Sequence, residues 1–336
     1  MHIRKNGLVP AIAVASVLAL AVSGCSSGGS TASSSAPDAA GSSAAGSVAG
    51  GSSLAAGSGT ASAAGGSGAA TASGSASSSE AASLVPSAVR AKGTIVNAMD
   101  ASYPPYEYFG EDGHTVVGMD PDMLAAIGKE LNLKITLVNA SFATIIPGLT
   151  SGKYDIGMSS FIDTVARQNQ LDFVTYTQGA SAFYIKAGSS KTFNGLDSLC
   201  GAKVAVENGT TQQGQAQDQS KQCTAAGKPA VTVLSFDGQN DANLAVSSGR
   251  ADLGFADGGL ASYIVKQSHG EFAITGSPIE DVAQTGIAMP KGSGMAKATQ
   301  AAINAMIKDG TYMQILKKWG TVGEAIPQSQ INVAKS

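Results

Sequence analysis

The chain has 336 residues, of which 43% are hydrophobic and 13% charged, with a formal net charge of −3. That near-neutral balance excludes the basic footprint of a nucleic-acid binder, so no nucleic acid is expected as a partner. The few cysteines and histidines form no Cys–His cluster, and only His114 and His269 lie beyond the N-terminal segment; neither a metal site nor a cofactor is expected.

The first element is an export segment. His2, Arg4 and Lys5 precede an apolar run from Leu8 to Val22, and Val-Ser-Gly-Cys closes it at Cys25. A basic start, a short apolar core and small residues before a cut site make a secretory signal over 1–24. The run is about 15 residues, shorter than the roughly 20 that a spanning helix needs. The cysteine after the small residues resembles the lipobox of bacterial lipoproteins, which implies a lipid thioether on Cys25 and a tethered protein on the outer face of the cell membrane. Residues 25–83 are almost only Ser, Gly and Ala, a composition that buries too little apolar area to fold. Flexible-coil scaling gives this tether a reach on the order of 40 Å. Cys200 and Cys223 are left as an even number in an oxidising compartment, and they are expected to pair, the alternative being two buried free thiols.

Beyond residue 84 strand and helix patterns alternate. Residues 94–99 read as a strand and 121–131 as a helix, with Asp120 as N-cap, Pro121 at N1, and Met123, Leu124, Ile127 and Leu131 on one stripe. Strands at 135–138, 155–159 and 173–176 flank a helix at 142–150. The cycle repeats with strands at 203–206, 231–234 and 252–256 and helices at 211–222, 241–248 and 260–267. Two amphipathic helices, 296–308 and 312–319, are broken at Gly310. This alternation predicts an α/β fold with parallel sheets covered on both faces, in two lobes, with a ligand cleft between them at the strands' carboxyl ends.

At this point a family becomes recognisable. Met99-Asp100-Ala101-Ser102-Tyr103-Pro104-Pro105-Tyr106-Glu107-Tyr108, Gly118-Met119-Asp120-Pro121-Asp122-Met123, Ile145-Ile146-Pro147-Gly148-Leu149, Gly152-Lys153-Tyr154-Asp155-Ile156, Asp163-Thr164-Val165-Ala166-Arg167, Asp172-Phe173 and Lys318-Trp319-Gly320 stand in one order. Over residues 90–320 the chain resembles the extracellular solute-binding proteins of family 3, the polar amino-acid receptors of ABC importers. The resemblance implies a two-lobed, type II periplasmic-binding-protein-like fold that captures an amino acid by hinge closure and passes it to a membrane permease. It further implies a monomer with no catalytic residues.

The resemblance marks site residues one by one. Arg167 matches the clamp for a ligand's α-carboxylate, for which a planar guanidinium fork is suited. Ser159 and Ser160 match the paired serines beside it. Thr211, with Thr210, stands where a second-lobe helix starts, either as an anion contact or as a cap alone. Asp257 matches the partner of the α-ammonium. Asp100 matches a contact to the polar end of the ligand's side chain, or else caps a turn or helix. Tyr103 and Phe142 match residues that sandwich its hydrocarbon part, with an ordinary core role as the alternative for Phe142. An acidic Asp100 favours a donor-bearing ligand such as Gln, Arg, Lys or His.

Two positions depart from the family pattern. Ile162 replaces a small hydroxyl residue, and Asp163 stands where an apolar residue is usual, near enough to Arg167 to hold it or to compete with a ligand carboxylate. Crossing strands are expected near 182–186 and 284–288. Lobe 1 is then 84–183 plus 284–326, lobe 2 is 184–283, and 327–336 form a tail. A ligand sensor for a signalling partner is the alternative function. An enzyme on the same fold is disfavoured, because no Ser-His-Asp or Cys-His arrangement is evident.

Overall fold

The computed structural model describes residues 80–279 and 284–335. The signal segment, nearly all of the tether and Cys25 lie outside these residues. Order begins a little earlier than the composition suggests. Residues 80–83 are helical, and Ala81, assigned to the tether, is fully buried beside Val85.

The strands in chain order are β1 (Thr94–Met99), β2 (Ser102–Tyr103), β3 (Glu107–Phe109), β4 (Val116–Val117), β5 (Lys134–Asn139), β6 (Ile156–Gly157), β7 (Leu171–Gln178), β8 (Ser181–Lys186), β9 (Lys203–Glu207), β10 (Thr232–Phe236), β11 (Leu253–Asp257), β12 (Phe272–Ile279) and β13 (Gln284–Pro290). They form two five-stranded sheets, ordered β5-β1-β6-β13-β7 and β10-β9-β11-β8-β12, and a small antiparallel sheet β2-β3-β4. The chain changes sheet between Gln178 and Ser181, so Ser181–Phe183, placed in the first lobe from sequence, pair within the second sheet. It is back in the first sheet at Gln284.

Both sheets are mixed rather than purely parallel. β1 runs parallel to β5 and β6, and β9 to β10 and β11. One strand of each sheet runs against the other four: β13 is antiparallel to β6 and β7, and β8 to β11 and β12. The burial of both faces holds, and it follows the period of a strand. In β1, Ile95 and Met99 enter one apolar cluster while Val96 and Ala98 face another. In β8, Ala182 and Tyr184 divide from Phe183 and Ile185 in the same way.

The helix at Met119–Leu131 starts two residues before Pro121, with Gly118 as its cap at φ 142°. Any side chain at Gly118 would run into the Tyr106 carbonyl. Asp120 is therefore not the N-cap; it is fully buried inside the first turn. Met123, Leu124, Ile127 and Leu131 are buried as the stripe requires, against the Met295–Asp309 and Thr311–Trp319 helices. At about 1.5–3 kcal/mol per large apolar side chain, this stripe outweighs the exposed Lys318–Asp122 ion pair at 2.6 Å, worth at most about 1 kcal/mol. Trp319 Nε1 donates to the same Asp122 carboxylate at 2.7 Å, which joins two distant sequence motifs.

The described part of the expected tail, residues 327–335, packs against the first sheet. Thr175 N donates to Gln330 O at 2.9 Å, Asn332 N to Phe173 O at 3.0 Å, and Ser329 Oγ to Thr175 O at 2.6 Å. The segment thus covers the outer edge of β7, which would otherwise present unpaired backbone groups.

Cys200 and Cys223 form a disulfide that ties the 3-10 turn Leu196–Leu199 to the helix Thr211–Ala225, with a sequence separation of 23. Closing a loop of that length stabilises by roughly 3 kcal/mol in the chain-entropy model. A Cys200→Ser/Cys223→Ser double variant is expected to lose stability of that order in urea unfolding. An unchanged unfolding midpoint would contradict it.

Candidate functional site

The site is built where strands end. Asp100 follows β1, Ser159 and Ser160 follow β6, Glu207 ends β9 and Asp257 ends β11. In each sheet the central strand of its parallel trio, β1 or β9, is flanked by the other two, β5 and β6 or β10 and β11, and the crevice at such a reversal is where α/β sheets bind ligands. Here the two crevices face each other. The cavity between them is lined by Asp100, Tyr103, Phe142, Ser159, Ser160 and Arg167, all expected from sequence. Thr211 and Asp257, also expected, complete that set, and Ile162, Glu207, Thr210 and Gln212 line it too.

Arg167 is the cation among the lining residues. The helical turn Val165–Gln168 that carries it is capped by Thr164, whose hydroxyl accepts from Arg167 N at 3.2 Å. Its guanidinium donates to Ile162 O at 2.7 Å and, across the cleft, to Gly209 O at 3.1 Å. It also lies over the stacked rings of Phe142 and Phe161, 5.6 and 5.3 Å from their centroids. The side chain keeps some solvent exposure along its length. Its charged end is enclosed deeply enough that lost hydration lowers the pKa to about 10, against the opposing pull of Asp257 and Asp163.

Asp163 does not hold Arg167 by a hydrogen bond. It is fully buried and accepts from Gln168 Nε2 at 2.8 Å, Val333 N at 2.8 Å and Ala334 N at 3.3 Å. The C-terminal segment absorbs this carboxylate and braces the turn that bears Arg167. Ile162, in place of a hydroxyl residue, presents its carbonyl to Arg167 and its side chain to the cavity.

Asp100 has the capping role considered for it, at a position on the cavity wall. It lines the cavity, and it caps: Oδ1 accepts from Ser102 N and Oγ at 3.1 and 2.7 Å, and Oδ2 from Phe142 N at 2.9 Å. Burial raises its pKa in spite of these bonds. Thr210 is the N-cap of the second-lobe helix, accepting from Gln213 N at 3.2 Å, with Thr211 next to it. Gln212 Nε2 bridges Ser181 Oγ at 2.8 Å and Asp257 Oδ1 at 2.7 Å. Further bonds cross between the lobes, from Asp257 N to Tyr103 Oη at 3.3 Å and from Gln239 N to Ser102 Oγ at 3.0 Å.

Sequence reasoning missed Glu207 and Gln212. Glu207 immediately precedes the Asn208-Gly209-Thr210-Thr211 segment at a strand's carboxyl end. The strand-end rule, applied to each strand in turn, would have marked it.

Behind the serines lies a buried acid pair. Ser159 Oγ donates to Glu107 Oε1 at 2.7 Å, and Tyr176 Oη to Asp120 Oδ2 at 2.9 Å. Ser159 Oγ also receives Asp100 N at 3.0 Å, and Ser160 N approaches Asp120 Oδ2 at 3.4 Å. Ser160 sits at φ 48°, in the left-handed region that non-glycine residues seldom adopt. Burial raises the pKa of both Glu107 and Asp120, and the nearby Asp120 charge raises Glu107 further.

The sequence pattern of the bacterial extracellular solute-binding proteins, family 3, matches residues 95–322. The chain belongs to that family. It is 28% identical over 251 residues to the arginine-binding protein ArgT of Corynebacterium glutamicum, covering 74% of this chain and 82% of that one. It is 32% identical over 229 residues to the L-arginine-binding protein of Pseudomonas aeruginosa, covering 66% of this chain and 85% of that one. Among solved structures, an ancestral arginine-binding protein bound to arginine superposes with a TM-score of 0.61 at 33% identity, over 68% of this chain and 98% of the other. An ancestral arginine-binding protein bound to glutamine gives 0.61 at 34%, with the same coverage. The fold is thus the two-lobed periplasmic-binding-protein-like α/β architecture. The family is one of solute-binding proteins, not enzymes. No helix among the described residues is long and apolar enough to cross a membrane.

The acid pair yields a stability prediction. With both pKa values raised in the folded state, the fold keeps protons that the unfolded chain releases, so stability falls as pH rises above the ordinary carboxyl range. Glu107→Gln supplies a neutral donor to Asp120 and is expected to flatten that fall between about pH 5 and about pH 8 in urea unfolding. A slope equal to the unmodified protein's would contradict it.

Proposed function

We propose that the protein is a lipid-anchored receptor that captures an amino acid with a polar or basic side chain and delivers it to an ABC importer. The observation that carries this reading is the polarity of one cavity between two lobes. Arg167 lies at one end for an α-carboxylate, with Asp257 in reach of an α-ammonium and Asp100 facing the side chain. Ser159, Ser160 and Thr211 add donors, and Tyr103 and Phe142 flank the hydrocarbon part. The arginine-binding relatives and the glutamine- and arginine-bound ancestral structures support ligands of this set, arginine foremost.

Capture by hinge closure follows from ligand contacts on both lobes, because such contacts stabilise the closed arrangement over the open one. The changeover at 178–181 supplies a connection about which the lobes swing. Anchoring through Cys25, and a tether that holds the folded part clear of the lipid, rest on the N-terminal sequence.

A thermal-shift series on the purified protein tests the reading. A ligand that binds only the folded state adds about 2.7 kcal/mol at a hundredfold excess over Kd. L-Arginine and related amino acids are expected to raise the melting temperature of the unmodified protein. Arg167→Ala is expected to lose the shift with every amino acid while keeping a native circular dichroism spectrum. A full shift with L-arginine in Arg167→Ala would overturn the carboxylate assignment.

A further inference from the structure

We propose that Glu207 is a specificity-determining residue of this cleft. With Asp100 it forms a carboxyl pair, one group from each lobe, that takes up a cationic ligand side chain in place of a proton the pair shares. The inference rests on the amino-acid reading above and assigns its side-chain end.

Glu207 is 2% exposed and lines the same cavity as Asp100. Its Oε1 is buried with no hydrogen-bond partner among the described residues. Its carboxyl and Asp100's face the same cavity and act on one another's charge, an arrangement that two ionised carboxylates resist. The oxygens of Asp100 already accept from Ser102 and Phe142, so the acceptor left over belongs to Glu207.

The groups around the pair are nearly all acidic or neutral. Asp257 comes from β11, and the phenols of Tyr103 and Tyr184 from β2 and β8. Arg167, the cation among the lining residues, is turned to the carbonyls of Ile162 and Gly209. Neither Glu207 nor Asp100 has an ion-pair partner among the described residues. Burial and the charges of Asp100 and Asp257 push the Glu207 pKa well up, so without a cation the pair holds a proton to higher pH than a free carboxyl does.

A guanidinium reverses this. It is planar, weakly hydrated and carries donors enough for two carboxylates. The protonated pair and the incoming cation become an ionised pair and a bound cation, and one proton leaves to solvent. Glutamine behaves otherwise. Its amide offers both a donor and an acceptor, which suit the protonated pair, so no proton need leave. Arginine affinity therefore rises with pH as the pair titrates, and glutamine affinity does not.

The test is isothermal titration of the full protein with L-arginine and L-glutamine from about pH 5.5 to about pH 8. Each titration is repeated in buffers of different ionisation enthalpy, which counts protons. The expected result is net proton release with arginine and none with glutamine, and an arginine affinity that rises by up to about tenfold per pH unit where a full proton is released. Glu207→Gln, an isosteric mimic of the protonated acid, should abolish the release and lower arginine affinity at least about tenfold near pH 8. The proton count on the unmodified protein reads the same claim without any substitution. Arginine binding with no proton release, or with equal release in Glu207→Gln, overturns the role of Glu207 alone. Failure of the unmodified protein to bind any polar or basic amino acid overturns both readings.

Discussion

One guanidinium faces three carboxyls. Arg167 is the cation lining the cavity, and Asp100, Glu207 and Asp257 share that space with it. The arrangement is short of positive charge, and burial makes the shortage matter, because charges removed from water are no longer screened. Arg167 itself is fixed from both sides of the cleft, by Ile162 O on the first lobe and Gly209 O on the second, with two phenyl rings beneath it. The proposed ligand, a zwitterion with a cationic side chain, would bring one negative group for Arg167 and positive groups for the acids. The fold brings those groups together because both sheets point their strand ends into one crevice.

What surrounds the site keeps it in shape. Ser159 receives Asp100 N and donates to Glu107, so one hydroxyl links a lining backbone to the buried acid pair. Asp163 ties the C-terminal segment to the turn that carries Arg167, and that segment in turn covers the edge of β7. Rigid support of this kind leaves motion to the changeover between sheets at 178–181. It also explains why distant motifs occur together: Glu107 meets Asp120, and Lys318 and Trp319 meet Asp122.

Local patterns carried much of this into the sequence. The strand at 94–99, the helix at 142–150 and the break at Gly310 are where apolar period and turn residues put them. The first-lobe boundary, strand direction and the role of Asp120 were less legible, for a common reason. Period-two burial is identical in parallel and antiparallel strands, so β8 and β13 revealed their positions but not their pairing. An aspartate before a proline reads as a cap unless Gly118 is known to be forced by the Tyr106 carbonyl. In the site, the expected residues share one cavity because their motifs are local and ordered. Glu207 was missed because the strand-end rule was not carried to every strand, whereas the C-terminal partners of Asp163 were hidden because Val333 and Ala334 lie 170 and 171 residues away.

A crystal structure of the protein grown with L-arginine tests the central claim most directly. The account predicts the ligand's carboxylate on the Arg167 guanidinium, its ammonium at Asp257 and its guanidinium toward Asp100. Arginine bound in the reverse sense, or outside this cavity with Arg167 untouched, would contradict it.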